Sequence, residues 1–159
     1  MIVWDESPET YYPGRLGMTY KDTNPKDAVG TKKAPISTIP SPVLMEVGVA
    51  LLEGARKYGR HNYRVSGVRA SVYYDATMRH MMAWYEGQDI DPDSELSHIT
   101  KAIASLVVLR DAMIHGKVTD DRPPSAPAFW LESMNSAAAR VVEKYPVAKG
   151  AFIKSDDNV

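Results

Sequence analysis

From His80 to His98 the chain reads HMMAWYEGQDIDPDSELSH, five carboxylates (Glu86, Asp89, Asp91, Asp93 and Glu95) bracketed by two histidines. Hard dications such as Mg2+ and Mn2+ collect several oxygen ligands, and a loop joining two helices can deliver them together. With a helix beginning at Pro92, the side chains of Asp91, Ser94, Glu95 and His98 point to one side. Glu86, closing the preceding helix, approaches from across the loop. A second reading needs no ligand. Acids at a helix start are favoured by the positive end of the helix dipole, so DPDSE is also a good helix beginning in a protein with no activity. A lone His on a helix is more often a satisfied structural residue, but two beside five acids are less easily dismissed.

The elements that must carry these residues are helical. A first helix is expected from Ser41, as cap, with Pro42 at the first helical position, to Tyr58 before Gly59. Its apolar stripe is Val43, Val47, Ala50, Leu51 and Ala55. Glu46, Glu53 and Lys57 share another face, a solvated stripe unless a further helix covers it. After a basic loop at residues 59–70, a second helix spans 71–85, with Val72, Tyr73, Ala76, Met81, Ala83 and Trp84 on one face and Asp75, Arg79 and Glu86 on another. The third is expected from Asp91 to His115-Gly116, burying Leu96, Ile99, Ile103, Leu106, Val107 and Met113. A fourth covers 128–145, and the closing KSDDNV should fray. Short connections between amphipathic helices imply an all-α, antiparallel bundle of about four helices. Residues 1–40 form an extended, basic, Pro-rich N-terminal arm; 41–116 are the catalytic helical core, and 117–159 a linker and C-terminal helix. Within the arm, 24–40 (NPKDAVGTKKAPISTIP) is stiff and non-helical. It serves either as a surface arm packed on a neighbouring subunit or as a phosphate-contacting strap using Lys26, Lys32 and Lys33.

Composition narrows the classes. The 159 residues suit one domain, and 44% apolar with 25% charged residues is the balance of a globular protein. A net charge of -1 supplies no global field for duplex nucleic acid. The lack of cysteine excludes disulfides, thiolate metal sites and thiol nucleophiles, and suits the cytoplasm. No signal peptide or bilayer-length apolar run is evident, so a soluble protein is expected. Nine tyrosines and three tryptophans on four helices suggest that apolar surface is left for a homo-oligomer. Phosphate-binding Gly loops, the nucleophile elbow, H-E-x-x-H and an adjacent His-Asp pair are all absent.

EGARKYG at 53–59 with Asn62, RHMMAW at 79–84, EGQDIDPDSELSH at 86–98 and KAIASLVVL at 101–109 together resemble the phage and bacterial dATP/dGTP diphosphohydrolase family, related to MazG-like all-α nucleotide pyrophosphohydrolases. GTKKAP at 30–35 resembles the family's N-terminal Gly-Lys-Pro segment, and the likeness covers roughly residues 24–115. The resemblance implies cleavage of a purine deoxynucleoside triphosphate, dGTP or dATP, to monophosphate and pyrophosphate with Mg2+ or Mn2+, in the host cytoplasm if the chain is phage-encoded. It makes Glu53, Glu86, Asp91, Asp93 and His98 candidate metal positions. Lys33, Lys57 and Arg79 become phosphate ligands, and Asn62 and His80 orient water or substrate. Where the family tends to have Gly in its D-P-E-S-G-L-x-H run, this chain has Glu95, which creates Glu95-x-x-His98 and a further catalytic candidate. The preceding helix has no clean E-x-x-E, so the four-carboxylate MazG cage is not reproduced. Two non-catalytic readings stand beside the enzyme: a protein that sequesters a nucleotide on the same fold, and a helical assembly protein whose acidic loop is merely solvated.

Overall fold

The computed structural model describes residues 25–30 and 32–153, which fall into two compact units divided after Ile39. The first 24 residues of the expected arm and the closing KSDDNV lie outside the described residues. The first unit holds α1 (Pro25–Gly30) and a 3-10 turn (Ile36–Thr38) closed by Thr38 Oγ1 donating to the carbonyl of Pro35 at 3.0 Å. The expectation of a wholly non-helical 24–40 is therefore corrected. Pro25 stands at the start of α1, where its missing N–H has no helical partner to lose.

The second unit contains α2 (Ser41–Tyr58), α3 (Tyr63–Ser66), β1 (Val68–Arg69), α4 (Ala70–Tyr85), α5 (His98–Ile114), β2 (Val118–Thr119) and α6 (Trp130–Lys144). Ser41 proves to be the first helical residue of α2 rather than its cap. Pro40 holds the cap position, with no side-chain bond. Helix α5 packs against both α4 and α2. Parallel pairing of Val68 with Val118 and Arg69 with Thr119 brings the start of α4 to the end of α5, as an antiparallel pair of helices requires. Gly67 makes that pairing feasible: its φ is +78°, and a Cβ there would sit 3.0 Å from the carbonyl oxygen of Lys117. Asp121 then reaches back to α4, accepting from the Ser71 N–H at 2.9 Å and its hydroxyl at 2.5 Å. A carboxylate supplied from outside the helix thus satisfies an N–H at its positive end.

Small residues make the core. Val47, Ala50 and Ala104 form one buried cluster, against which Leu51, Leu96 and Ile103 pack; Val68, Val108 and Ala112 form another. The expected buried face of α5 is corrected in detail. Leu106, Val107 and Met113 are exposed, whereas Ala102, Ala104, Val108 and Ala112 are buried. Alanines let α5 approach two neighbours closely, and the larger side chains are left outside these contacts. Val43, Val72 and Trp84 are likewise exposed. The fourth helix forms where expected, yet none of its side chains is buried, and Trp130, Leu131, Met134, Val141 and Val142 are open. No helix of the described residues is long and apolar enough to cross a membrane.

The largest correction concerns the acidic loop. Helix α5 begins at His98, not at Asp91 or Pro92, and its cap is Ser97, whose hydroxyl accepts from the Ile99 N–H at 3.2 Å. Residues 91–97 instead fold into a tight turn. The Asp91 N–H donates to Leu96 and the Glu95 N–H to Asp91, both at 2.8 Å, and Ile90 bridges Ser97. The turn needs a left-handed residue, and Glu95 takes that conformation at φ +58°. A side chain disfavours this region by about 1–2 kcal/mol, a penalty glycine avoids. The Gly that the resembling family tends to place here thus has a backbone reason. Glu95→Gly is expected to raise unfolding free energy by roughly 0.5–1 kcal/mol, measured by chemical denaturation; a decrease would show that the Glu95 side chain makes compensating contacts.

Candidate functional site

Two groups of polar side chains gather where α5 meets α4 and α2. The first is His80 of α4, Asp91 of the turn and His98 at the first position of α5, whose ligand-capable atoms all lie within 4.8 Å of one another. His80 Nδ1 and His98 Nδ1 are 2.9 Å apart. His98 is only 5% exposed, and its Nε2 has no hydrogen-bond partner. Leaving a buried polar atom unpaired costs about 1–3 kcal/mol, so a structural role alone explains this imidazole poorly. The hydroxyl of Ser94 donates to Asp91 Oδ2 at 2.6 Å and, with backbone N–H groups of Asp93 and Ser94, holds the carboxyl below the usual carboxylate range. Burial holds His80 below the ordinary imidazole range, against the opposing pull of Asp91. Ionised carboxylate and neutral imidazole are the forms that ligate cations. Donor chemistry, spacing and burial fit a divalent ion.

The second group faces it from α2. Within the stripe of Glu46, Glu53 and Lys57, side chains of α5 reach Glu46 and the half-buried Glu53, while Glu46 and Lys57 stay exposed. Thr100 Oγ1 donates to Glu46 Oε2 at 2.7 Å, and Glu53 accepts from both Lys57, at 2.5 Å, and Lys101. The bond from Lys101, then the one from Lys57, lowers the Glu53 pKa. The two ammonium groups share the Glu53 carboxylate, and Arg60 adds a further cation to the same lining. Lys57 also lies 3.6 Å from Asp93 Oδ2, which ties this group to the acidic turn. Glu53, Lys57 and Lys101 line a cleft of about 520 Å³ whose wall continues through Tyr58, Asn62 and Tyr63. That volume suits a small-molecule site. Asn62 precedes α3, which Arg64 anchors to α5 by donating Nε to Asp111 Oδ2 (2.7 Å) and a terminal nitrogen to Oδ1 (2.9 Å).

The structure thus brings together His80, Asp91 and His98 on one side, and Glu53, Lys57 and Asn62 on the other, with Asp93 reaching from the turn to Lys57. It gives Glu53 two lysines as partners and does not gather it with the His80 group. Glu86 is exposed at the end of α4, Glu95 is exposed at the tip of the turn, and Arg79 is exposed on α4 beside His80. Lys33 belongs to the first unit, where its backbone N–H donates to Gly30 at 3.1 Å and its side chain is exposed. Sequence reasoning missed Lys101 and Glu46 as partners across the α2–α5 contact. Lys101 stood three residues beyond His98 with only the resembling segment to mark it, because the pairing depends on which helix covers which.

Residues 23–122, well over half of the chain, match the family described as dATP/dGTP diphosphohydrolase, N-terminal. A dATP/dGTP diphosphohydrolase of Salmonella phage PMBT28 is 32% identical over 94 residues, which are 59% of this chain and 32% of the phage protein. The chain therefore spans about a third of that relative's length. No solved structure matches. The family segment runs from α1 through β2, so it contains both polar groups and stops short of α6.

Because the folded pKa of Glu53 is depressed, its contribution to stability is present above its unfolded value and is lost as pH falls through the folded one. Glu53→Gln is accordingly expected to destabilise at pH 7 and to approach the parent chain as the pH is lowered into the acid range. Urea denaturation at a series of pH values checks this; a gap independent of pH would show that the two lysines do not act on Glu53 through its charge.

Proposed function

The chain belongs to the dATP/dGTP diphosphohydrolase N-terminal family, and from that premise we propose that it hydrolyses a purine deoxynucleoside triphosphate, dGTP or dATP, to the monophosphate and pyrophosphate. Water adds to the α-phosphorus, the bond to the α–β bridging oxygen breaks, and pyrophosphate leaves. The observation that carries this reading is the adjacency of a cationic cleft to a His-Asp-His donor group through the Lys57–Asp93 pair. Such a pairing suits a polyphosphate, whose charge must be neutralised along its length.

Lys57 and Lys101 supply that charge as point cations, and Arg79 and Lys33 are further candidates for gripping the phosphates. Phosphate oxygens compete with the Glu53 carboxylate for the two ammonium groups, so Glu53 holds the lysines in place until substrate arrives. Tyr58, Tyr63 and Asn62 offer the nucleobase aromatic faces and an amide edge. His80, Asp91 and His98 would hold a divalent cation, Mg2+ or Mn2+, with Asp93 beside them; such an ion supplies charge neutralisation and lowers the pKa of water. Ser94 orients the Asp91 carboxylate for this task. The MazG-like relation, pool control in a phage-infected cytoplasm and assembly into a homo-oligomer belong to the same proposal. Exposed apolar side chains on α2 and α6 are its support for assembly.

A product assay over the eight common nucleoside triphosphates, with and without Mn2+, tests the reaction. Pyrophosphate is expected from dGTP or dATP. Release of inorganic triphosphate would place the chain in another hydrolase class, and tight binding without turnover would make it a sequestering protein. Asp91→Ala is expected to lower the rate by a factor on the order of 100 or more with helical circular dichroism unchanged. Lys101→Ala is expected to raise KM about tenfold with a smaller effect on kcat. Full activity in both variants would remove these groups from the reaction.

A further inference from the structure

Helix α2 has a buried side and an open one. Val47, Ala50 and Leu51 pack into the core, whereas Leu44, Met45, Val49 and Leu52 are from 50% to 73% exposed. At helical spacing these four residues form one stripe with Gly48 at its centre, and no charged residue falls on it between Leu44 and Leu52. Inside a helix only proline is less favourable than glycine. Nothing within the chain requires Gly48: its backbone is helical, and a Cβ built there meets no atom within 4 Å. A glycine without a reason in its own chain fits the close approach of another backbone.

The stripe also says whose backbone that is. Leu44 and Leu52 stand four residues before and four after Gly48. A helix with that symmetry complements itself. About a two-fold axis at Gly48, Leu44 of one copy meets Leu52 of the partner subunit, as an isologous contact requires. The fold leaves room for such a partner. A domain's core ordinarily lies between packed layers, yet among the described residues α5 packs on α4 and α2 without fully burying any large side chain. Helix α6 does not supply the missing cover, since none of its side chains is buried. Gly48 and Leu52 belong to the cleft wall as well as to the stripe, so a helix laid over Gly48 borders the cleft.

We propose that a second copy of this chain crosses α2 at Gly48, antiparallel about a two-fold axis, and that its α2 completes the wall of the substrate cleft. The inference deepens the hydrolase reading by naming the partner of that site and the residues that meet. It rests on that reading only for the use of the cleft, so assembly is tested without nucleotide.

Sedimentation velocity of the full chain over a concentration series reads the oligomeric state. One helix face offers less than the roughly 800 Å² per partner of a standard interface, so a dimer that dissociates in the micromolar range is expected. Gly48→Ala is expected to move two measurements in opposite directions. The melting temperature at high dilution rises, because alanine favours the helix and meets open space, while the dimer dissociates at least about tenfold more readily. Met45→Glu, on the stripe but outside the cleft wall, is expected to give a monomer with unchanged helical circular dichroism and a KM for dGTP raised about tenfold. A monomer at every concentration overturns the proposal and leaves the stripe to α6 or to another protein. A dimer that either variant leaves unaltered also overturns it; loss of substrate binding in an intact Gly48→Ala dimer would assign Gly48 to making room for the ligand instead. Turnover of dGTP by a chain that never dimerises would leave the hydrolase reading standing alone. A Gly48-dependent dimer with no turnover would do the reverse.

Discussion

The hydrogen bond from the Ile99 N–H to the Ser97 hydroxyl caps α5 at its start, and the placement of both polar groups depends on that position. A start seven residues earlier, at Asp91, would spread the acids along a helical face. Starting at His98 instead lets residues 91–97 curl back, so that Asp91 comes to both histidines and Asp93 to Lys57. In the same first turn of α5, Thr100 and Lys101 reach Glu46 and Glu53 of α2. The capped first turn of α5 therefore contributes to the donor group through His98 and to the cleft through Lys101.

Close approach of the helices is the second requirement, and alanine provides it. Ala50, Ala104 and Ala112 bury little apolar area each, by the usual measure of about 25 cal/mol per Å². Directional contacts supplement them: the paired hydrogen bonds of Arg64 with Asp111, the Asp121 cap on α4, and the lysine pair around Glu53.

Much of this was legible in the chain. Pro42, Gly59 and Gly87 punctuate α2 and α4 near their observed ends, and alternation of polar and apolar faces located all four long helices. The acidic turn showed its residues but not its shape, because Asp-Pro-Asp serves a helix start and a tight turn equally well. Glu95 hid the difference; a glycine there would have announced a left-handed residue. Burial was legible only as a stripe. Leu106 and Met113 look like core on α5, but the contact went to the alanines between them. Lys101 as a partner of Glu53 was beyond reach, since nothing in the spacing of one helix says which neighbour covers it.

The two-residue ladder of β1 and β2 makes the stretch from Val68 to Thr119 a closed ring whose ends are hydrogen-bonded neighbours. Gly67 lets the chain enter, Asp121 clasps it on leaving, and the ring holds His80, Asp91, His98 and Lys101. The entropy of bringing the ends together is already spent inside it. The ring is not self-sufficient: Ala104 completes its packing only against Val47 and Ala50 of α2, and Lys101 reaches Glu53 there, so the ladder holds the α4–α5 hairpin in shape while α2 holds it in place.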